Sequence, residues 1–80
     1  MLEKLKNAAK VVGTRRVLRC LQAGEAAEVY LARDADLFIV RQVRAACESA
    51  HVRLIETDSM KELGRACGIQ VGSACAAILK

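Results

Sequence analysis

Apolar and polar residues follow one another along this chain with periods that predict helices alternating with short strands. Residues 2–9 predict a short helix and residues 10–13 a short strand. The next helix is predicted from Thr14, whose hydroxyl is the expected N-cap, to about Ala23. Gly24 is the residue expected to end it. The chain therefore begins with a helix, a strand and a second helix.

The middle of the chain continues this alternation. Residues 28–33 form an apolar stretch bounded by polar residues, which predicts a strand. Asp34 and Asp36 are both candidate N-caps for the following helix, whose apolar positions recur with helical spacing as far as Ala50. A further strand is predicted over residues 52–56. Because it follows a strand and a helix, a right-handed crossover between the two strands is expected.

The last part of the chain contains one more helix and the strand expected at the centre of the sheet. Ser59-Met-Lys-Glu62 is a capping box that begins a helix ending near Gly68, and Gly64 is expected to permit close packing. Residues 71–79 are rich in Ala, Val, Ile and Cys, which is typical of a strand buried on both faces. Helices and strands in this order predict an α/β fold with helices on both faces of one sheet.

Composition limits the classes of protein that this chain can represent. Eighty residues predict one domain, over 1–80, and Tyr30 and Phe38 are the only aromatic residues. These are too few for the stacking platform of an RRM or of an OB-type single-strand binder, so we exclude both. The sequence has no stretch that could span a bilayer and no signal peptide, so we expect a cytoplasmic protein without a membrane partner. We also expect a monomer.

Residues that carry most catalytic and metal chemistry are sparse in this sequence. Cys20, Cys47, Cys67 and Cys75 lie among small apolar residues, none in a C-x-x-C pair, and His51 is the only histidine. We therefore expect reduced, buried cysteines and no metal site. The sequence contains no Ser/His/Asp set and no P-loop, so we expect neither an enzyme nor a bound cofactor.

Positive charge is concentrated around the start of the second predicted helix. The net charge is +4, and six basic residues lie near the N-terminus: Lys4, Lys6, Lys10, Arg15, Arg16 and Arg19. A solvated surface that only aids solubility would also explain them. However, Gly13 lets the backbone approach a ligand closely, and the helix that follows begins with free backbone N–H groups. The three arginines can point at one anionic ligand, for which nucleic acid is the obvious candidate.

Two motifs of this sequence are distinctive. The first is Val-Gly-Thr-Arg-Arg-Val-Leu-Arg at residues 12–19. The second is Leu-Gly-Arg-Ala-Cys-Gly-Ile-Gln-Val-Gly at residues 63–72. Both resemble motifs of the ribosomal protein L7Ae family of kink-turn RNA-binding proteins, and of its small bacterial members most. The resemblance extends over nearly all of the chain, including Ala-Arg-Asp-Ala-Asp at 32–36. It implies a three-layer α-β-α sandwich with a four-stranded mixed sheet.

The resemblance also implies a function. Family members bind the RNA kink-turn, a sharply bent duplex with tandem sheared G·A pairs beside a three-nucleotide bulge. In them the start of the second helix enters the widened groove at the G·A pairs, and the loop before the last strand packs on the bulge. We therefore expect a non-enzymatic protein that stabilises a kink-turn in a ribosomal RNA, a riboswitch or an mRNA leader.

Carried over to the first motif, the resemblance assigns contacts to residues 13–19. Gly13 and Thr14 would approach the RNA backbone, and Arg19 would contact a guanine or a phosphate. Arg15 and Arg16 stand where the archaeal and eukaryal relatives usually have Asn and Glu, which read guanine edges. Because arginine can only donate hydrogen bonds, base readout is expected to be weaker or differently arranged here, and phosphate contacts correspondingly stronger.

In the second motif, Ile69, Gln70 and Val71 would form the loop that faces the bulge, and apolar loop tips suit splayed bases. Lys61 and Arg65 could add phosphate contacts beside this loop, although a solvated helix face explains both equally well. Lys10 completes the set of candidate RNA contacts. Because fold alone does not determine function, a protein-interaction module with weak or no specific RNA binding is the alternative.

Overall fold

The computed structural model describes residues 2–80, and within them every predicted helix and strand is present, although several boundaries differ. The elements are α1 (Lys4–Asn7), β1 (Lys10–Val12), α2 (Thr14–Gln22), β2 (Ala26–Ala32), α3 (Leu37–Ala50), β3 (Arg53–Thr57), α4 (Met60–Ala66) and β4 (Cys75–Leu79). Thus α1 is shorter than the predicted helix, and β2 begins two residues earlier than expected.

The strands form one mixed sheet in the order β1-β4-β2-β3. β4 pairs antiparallel with both β1 and β2, whereas β2 pairs parallel with β3. The central position of β4 is the one expected from its composition, and its first three residues are buried. The four-stranded mixed sheet implied by the family resemblance is therefore confirmed.

Helices cover both faces of this sheet, as the alternating pattern predicts. On one face Val17 of α2 and Val43 of α3 share a buried cluster with Leu31 of β2. On the other face Leu63 of α4 packs in a cluster with Tyr30 of β2, and α1 contributes to the same cluster. Successive side chains of β2 thus enter opposite layers, because strand residues alternate between the two faces of a sheet.

Three helices begin at the same edge of the sheet, which we call the upper edge. It is the edge at which β1, β2 and β3 end and β4 begins, as the pairing of Val12 with Ala76 and of Leu31 with Cys75 shows. Since α2, α3 and α4 each follow one of those three strands, their N-termini all lie there. The loop over residues 67–74 returns to this edge before β4.

The prediction that Thr14 caps the second helix is wrong. Gly13 occupies the N-cap, with φ +104°, and Thr14 is the first helical residue. The chain turns from β1 into α2 within one residue, and this turn uses a backbone conformation that glycine adopts without strain. The Gly13 carbonyl oxygen accepts the amide of Val17 at 3.0 Å.

The last strand is shorter than predicted, because it begins at Cys75 rather than at residue 71. The preceding segment packs along α4 instead: the amide of Ser73 donates to the Met60 carbonyl at 3.0 Å. A Cβ atom on Gly64 would overlap the carbonyl oxygen of Val71. The prediction that Gly64 permits close packing is therefore confirmed.

Candidate nucleic-acid interface

The first turns of α2 present three arginines to solvent. Arg15, Arg16 and Arg19 are exposed, whereas Val17 and Cys20 of the same helix are buried. None of the three guanidinium groups makes an ion pair or a side-chain hydrogen bond with another residue in 2–80. Arg15 and Arg16 lie in the first turn, where each cation opposes the helix dipole at a cost of about 0.3–1 kcal/mol, whereas Arg19 lies in the last turn. A bound polyanion would offset this cost.

Hydrogen bonds fix the start of α2 against the start of β4. The Gly13 amide donates to the Cys75 carbonyl oxygen at 3.0 Å, and the Ser73 hydroxyl donates to the same oxygen at 2.8 Å. The Cys75 thiol contacts the Thr14 hydroxyl at 3.8 Å. The start of α2 therefore lies beside the segment that leads from the loop into β4.

The loop before β4 carries apolar side chains on its surface. Val71 is 71% exposed and Ile69 is 36% exposed, and Gln70 between them is exposed as well. The loop is anchored to α4, because the Ile69 amide donates to the Gly64 carbonyl at 3.0 Å. These tips are thus available to pack on a ligand at the upper edge.

The three remaining candidate RNA contacts, Lys10, Lys61 and Arg65, lie in different parts of the structure. Lys10 pairs with Ile78, at the end of β1 farther from α2, and is half-buried. Lys61 is exposed in the first turn of α4, near the upper edge. Arg65 is also exposed, but it lines a cleft of about 470 Å³ together with Lys6 of α1 and the end of β3. Of the three, Lys61 alone lies at the upper edge, close to the end of the loop, because the carbonyl of the preceding Met60 accepts the Ser73 amide.

Both aspartates after β2 act as caps, but for different helices. The Asp36 carboxylate accepts the Phe38 amide at 2.8 Å and caps α3, whereas Asp34 accepts the Met60 amide at 2.8 Å and caps α4. The amide of Ala32 also donates to the Ala74 carbonyl at 2.8 Å. The start of α3 is thereby tied to α4 and to the loop before β4.

Sequence reasoning missed an exposed apolar pair at the start of α3. Leu37 is 62% exposed and Phe38 is 71% exposed. The signal was available in the sequence, because the apolar positions with helical spacing that build the core begin only at Ile39. The two large apolar residues directly after the Asp36 cap are therefore not part of the hydrophobic core.

Shifted pKa values occur away from this edge, beneath α1. The buried Glu28 carboxylate accepts hydrogen bonds from Lys4 at 3.1 Å and from the Tyr30 hydroxyl at 2.9 Å. The hydrogen bond from Lys4 is the main cause that lowers the pKa of Glu28. Burial, assisted by Glu28, raises the pKa of Tyr30 to about 12. These groups stabilise the fold and do not face the interface.

The cysteines are unsuited to redox or metal chemistry. Cys20, Cys47, Cys67 and Cys75 are buried and form no disulfide, as expected. Burial raises the pKa of each thiol, and that of Cys75 to about 11. Within residues 2–80, no cluster of His, Cys, Asp and Glu side chains is arranged to hold a metal ion. The same residues include no helix that is long and apolar enough to cross a membrane.

Comparison with known proteins gives concordant matches. The chain matches the model of the ribosomal protein L7Ae/L30e/S12e/Gadd45 family over residues 1–80. It is 52% identical over 79 residues to RNA-binding protein YbxF of Geobacillus stearothermophilus, covering 98% of this chain and 96% of that protein. An RNA-binding protein of Geobacillus thermodenitrificans shows the same identity and coverage. Among solved structures, the Giardia lamblia 15.5kD RNA binding protein superposes with a TM-score of 0.92 at 33% identity, covering 99% of this chain and 70% of that one.

Proposed function

This chain belongs to the ribosomal protein L7Ae/L30e/S12e/Gadd45 family, and we propose that it recognises RNA kink-turns and stabilises their bent form. Relatives that share half of its residues over almost their whole length are RNA-binding proteins, and this chain is an RNA-binding protein as well. The proposal concerns the kind of RNA and the residues that contact it.

One observation carries the proposal: hydrogen bonds join the residue before the arginine-bearing helix α2 to the segment that follows the exposed apolar loop. The Cys75 carbonyl oxygen accepts both the Gly13 amide and the Ser73 hydroxyl, and the loop over residues 69–71 precedes Ser73 by two residues. Regular A-form RNA hides its base edges in a deep, narrow groove, so specific proteins bind distorted or bulged sites. A kink-turn offers both a widened groove for the helix start and unpaired bases for the loop.

The arginines determine which RNA atoms the helix start can recognise. Arg15, Arg16 and Arg19 can donate hydrogen bonds but cannot accept them. They therefore suit phosphate oxygens and the O6 and N7 acceptors of guanine, rather than the guanine amino group. Gly13 and Thr14 would lie against the RNA backbone, where a small residue and exposed amides allow close approach.

The loop would complement the helix start with apolar contacts. Ile69 and Val71 would cover unstacked bases of the bulge, and Gln70 supplies both a donor and an acceptor between them. Lys61 would contact a phosphate near the start of α4. Lys10 and Arg65, which lie away from this surface, would act only through their long-range attraction for a polyanion.

Binding of this kind changes the RNA rather than the protein. A protein that contacts only the bent form shifts the RNA population toward that form, by as much as its affinities for the two forms differ. No catalytic step is involved. The protein would thus stabilise the bent form of the RNA by binding to it preferentially.

The proposal can be tested by titrating the protein against two RNA duplexes of equal length and charge. One contains a kink-turn, and in the other the G·A pairs are replaced by Watson–Crick pairs. We expect a discrimination of at least about tenfold, since losing specific contacts at two base pairs costs roughly 1–3 kcal/mol each. Equal affinity for both duplexes would contradict kink-turn recognition while leaving general RNA binding intact.

A further inference from the structure

Phe38 is an aromatic residue without a place in the hydrophobic core. The other aromatic residue, Tyr30, is buried and hydrogen-bonded to Glu28. Phe38 is 71% exposed, so most of its ring remains in water. Burying a phenylalanine side chain is usually favourable, and a ring left outside the core is available to a partner.

Hydrogen bonds fix the backbone from which this ring projects. The amide of Phe38 donates to the Asp36 carboxylate at 2.8 Å, which sets the first turn of α3. The Asp34 cap on the Met60 amide ties the preceding segment to α4. The aromatic side chain therefore projects from a supported helix start rather than from a mobile loop.

Helical periodicity places Phe38 on the side of α3 that faces α2. Leu18 and Gln22 of α2 line one groove together with Ser49 of α3. Phe38 precedes Ser49 by about three helical turns, so both side chains lie on the same side of α3. Arg15 precedes Gln22 by about two turns, so both lie on the same side of α2, the side that lines the groove. Both helices begin at the upper edge, which puts Arg15 and Phe38 at the same end of this groove.

We infer that Phe38 is a stacking platform for an unstacked nucleobase of the RNA held by α2. This inference rests on the proposed function and adds a contact that the loop over residues 69–71 does not supply. The neighbouring arginines attract the phosphates of a strand, and the exposed ring offers its face to one of that strand's bases. Stacking on an aromatic side chain accepts any base, provided the base has left the helical stack.

The surroundings of Phe38 favour a nucleobase over a protein partner. A stable protein interface buries about 800 Å² on each side, far more than Leu37 and Phe38 can offer. The neighbouring turn of α2 carries Arg15 and Arg16 with no acidic partner among the described residues. A small aromatic surface beside unpaired cations suits a single base attached to a phosphate backbone.

The inference can be tested with Phe38→Ala and a matched control, Leu37→Ala. Leu37 is also exposed, but it lies on another side of α3, about a quarter turn or more from Phe38. We expect Phe38→Ala to weaken kink-turn binding by about 5- to 150-fold, the range of losing one stacked base. Phe38→Leu should recover only part of the loss, and Leu37→Ala should bind within about twofold of the original protein.

The stacked base can be located by removing bases from the RNA. Each unpaired nucleotide of the kink-turn is replaced in turn by an abasic one, and both proteins are titrated against the series. At the nucleotide whose base stacks on Phe38, removal of the base should weaken binding by the original protein. It should not weaken binding by the Phe38→Ala protein, which has already lost the ring. Because the chain has no tryptophan, Phe38→Trp adds a unique fluorophore that should be quenched when RNA binds.

Two outcomes separate this inference from the proposed function. If the original protein discriminates the kink-turn from the disrupted duplex while Phe38→Ala and Leu37→Ala bind alike, the inference is overturned and kink-turn recognition stands. If the original protein does not discriminate, the proposed function fails first. An effect of Phe38→Ala that is the same on every abasic RNA would also overturn the inference.

Discussion

The amide of Gly13 donates a 3.0 Å hydrogen bond to the carbonyl oxygen of Cys75, and so joins the residue before α2 to the first residue of β4. Cys75 is fully buried and Ser73, which donates to the same oxygen, is buried too. The start of α2 and the segment that follows the apolar loop therefore share one buried support. Their relative position is set by the protein before any RNA arrives, which lowers the entropic cost of binding.

Arg16→Ala and Arg19→Ala are each expected to weaken kink-turn binding by about 1–3 kcal/mol if the side chain reaches a base edge. Both residues are exposed and form no ion pair within residues 2–80, so the substitutions leave internal contacts intact. Titration calorimetry at one fixed salt concentration measures the loss directly.

Lys80→Ala is the matched control for these two variants. It removes the same charge at the opposite edge of the sheet, where the Lys80 amide donates to the Glu25 carbonyl. Because exposed charges are screened within about 10 Å at 0.1 M salt, we expect a change of no more than about twofold. Equal losses in all three variants would indicate diffuse attraction to a polyanion and would contradict a site at α2.

The affinity for RNA should fall as salt is added. If about four phosphates are neutralised, the logarithm of the association constant should fall with the logarithm of salt concentration at a slope of roughly −3 to −4. Arg19→Ala should reduce the magnitude of this slope by about 1 if Arg19 contacts a phosphate, and leave it unchanged if it contacts a base. A slope near zero would be inconsistent with a cationic helix start at the interface.

The order of helices and strands could be predicted from the sequence because the apolar residues have clear periods. The fourth helix shows why the prediction succeeded, since Ser59 and Glu62 mark its start locally and the Ser59 hydroxyl accepts the Glu62 amide at 3.1 Å. The start of β4 could not be predicted in the same way. Residues 71–74 have a strand-like composition, but contacts of Val71 and Ser73 with α4 remove them from the sheet.

Parts of the candidate interface depend on contacts that no local pattern contains. The Thr14 hydroxyl is near the Cys75 thiol rather than on a backbone amide, because Gly13 makes the turn before the helix. Asp34 caps a helix that begins 26 residues later. Phe38 could have been noticed as surplus to the core, but only the packing of α3 shows that its ring is exposed.

Gly64→Ala is expected to destabilise the fold and weaken RNA binding together. The added methyl group would overlap the carbonyl oxygen of Val71, a backbone atom that cannot rotate aside. The loop must move away from α4, at a cost of about 1–3 kcal/mol in the free energy of unfolding. Denaturant unfolding gives this cost, and titration below the unfolding transition gives the effect on binding.

An exposed position on the same helix supplies the comparison for Gly64→Ala. Glu62→Ala removes a solvent-facing side chain from the first turn of α4 without creating a clash, so it should cost only the contribution of an acidic residue near a helix N-terminus, about 0.3–1 kcal/mol. If Gly64→Ala were as stable as Glu62→Ala and bound RNA normally, the close approach of the loop to α4 would not be a requirement of the interface.

The Tyr30 hydroxyl makes the stability of the protein sensitive to alkaline pH. Burial and the hydrogen bond to Glu28 raise its pKa to about 12 in the folded state. An unfolded tyrosine has a pKa of about 10, so the folded state holds the proton more tightly. The resulting stabilisation, about 2.7 kcal/mol for a difference of two pKa units, is fully present below pH 10 and is lost as the pH rises from about 10 to about 12.

The titration of this group can be followed directly, because Tyr30 is the only tyrosine and the chain has no tryptophan. Tyrosinate absorbance should show half-ionisation near pH 12 in the folded protein and near pH 10 in denaturant. Glu28→Gln removes the negative charge but not the burial, so the folded midpoint should fall while staying above that of the unfolded chain. A folded midpoint near 10 in the original protein would show that water reaches the hydroxyl and that the contact with Glu28 does not form.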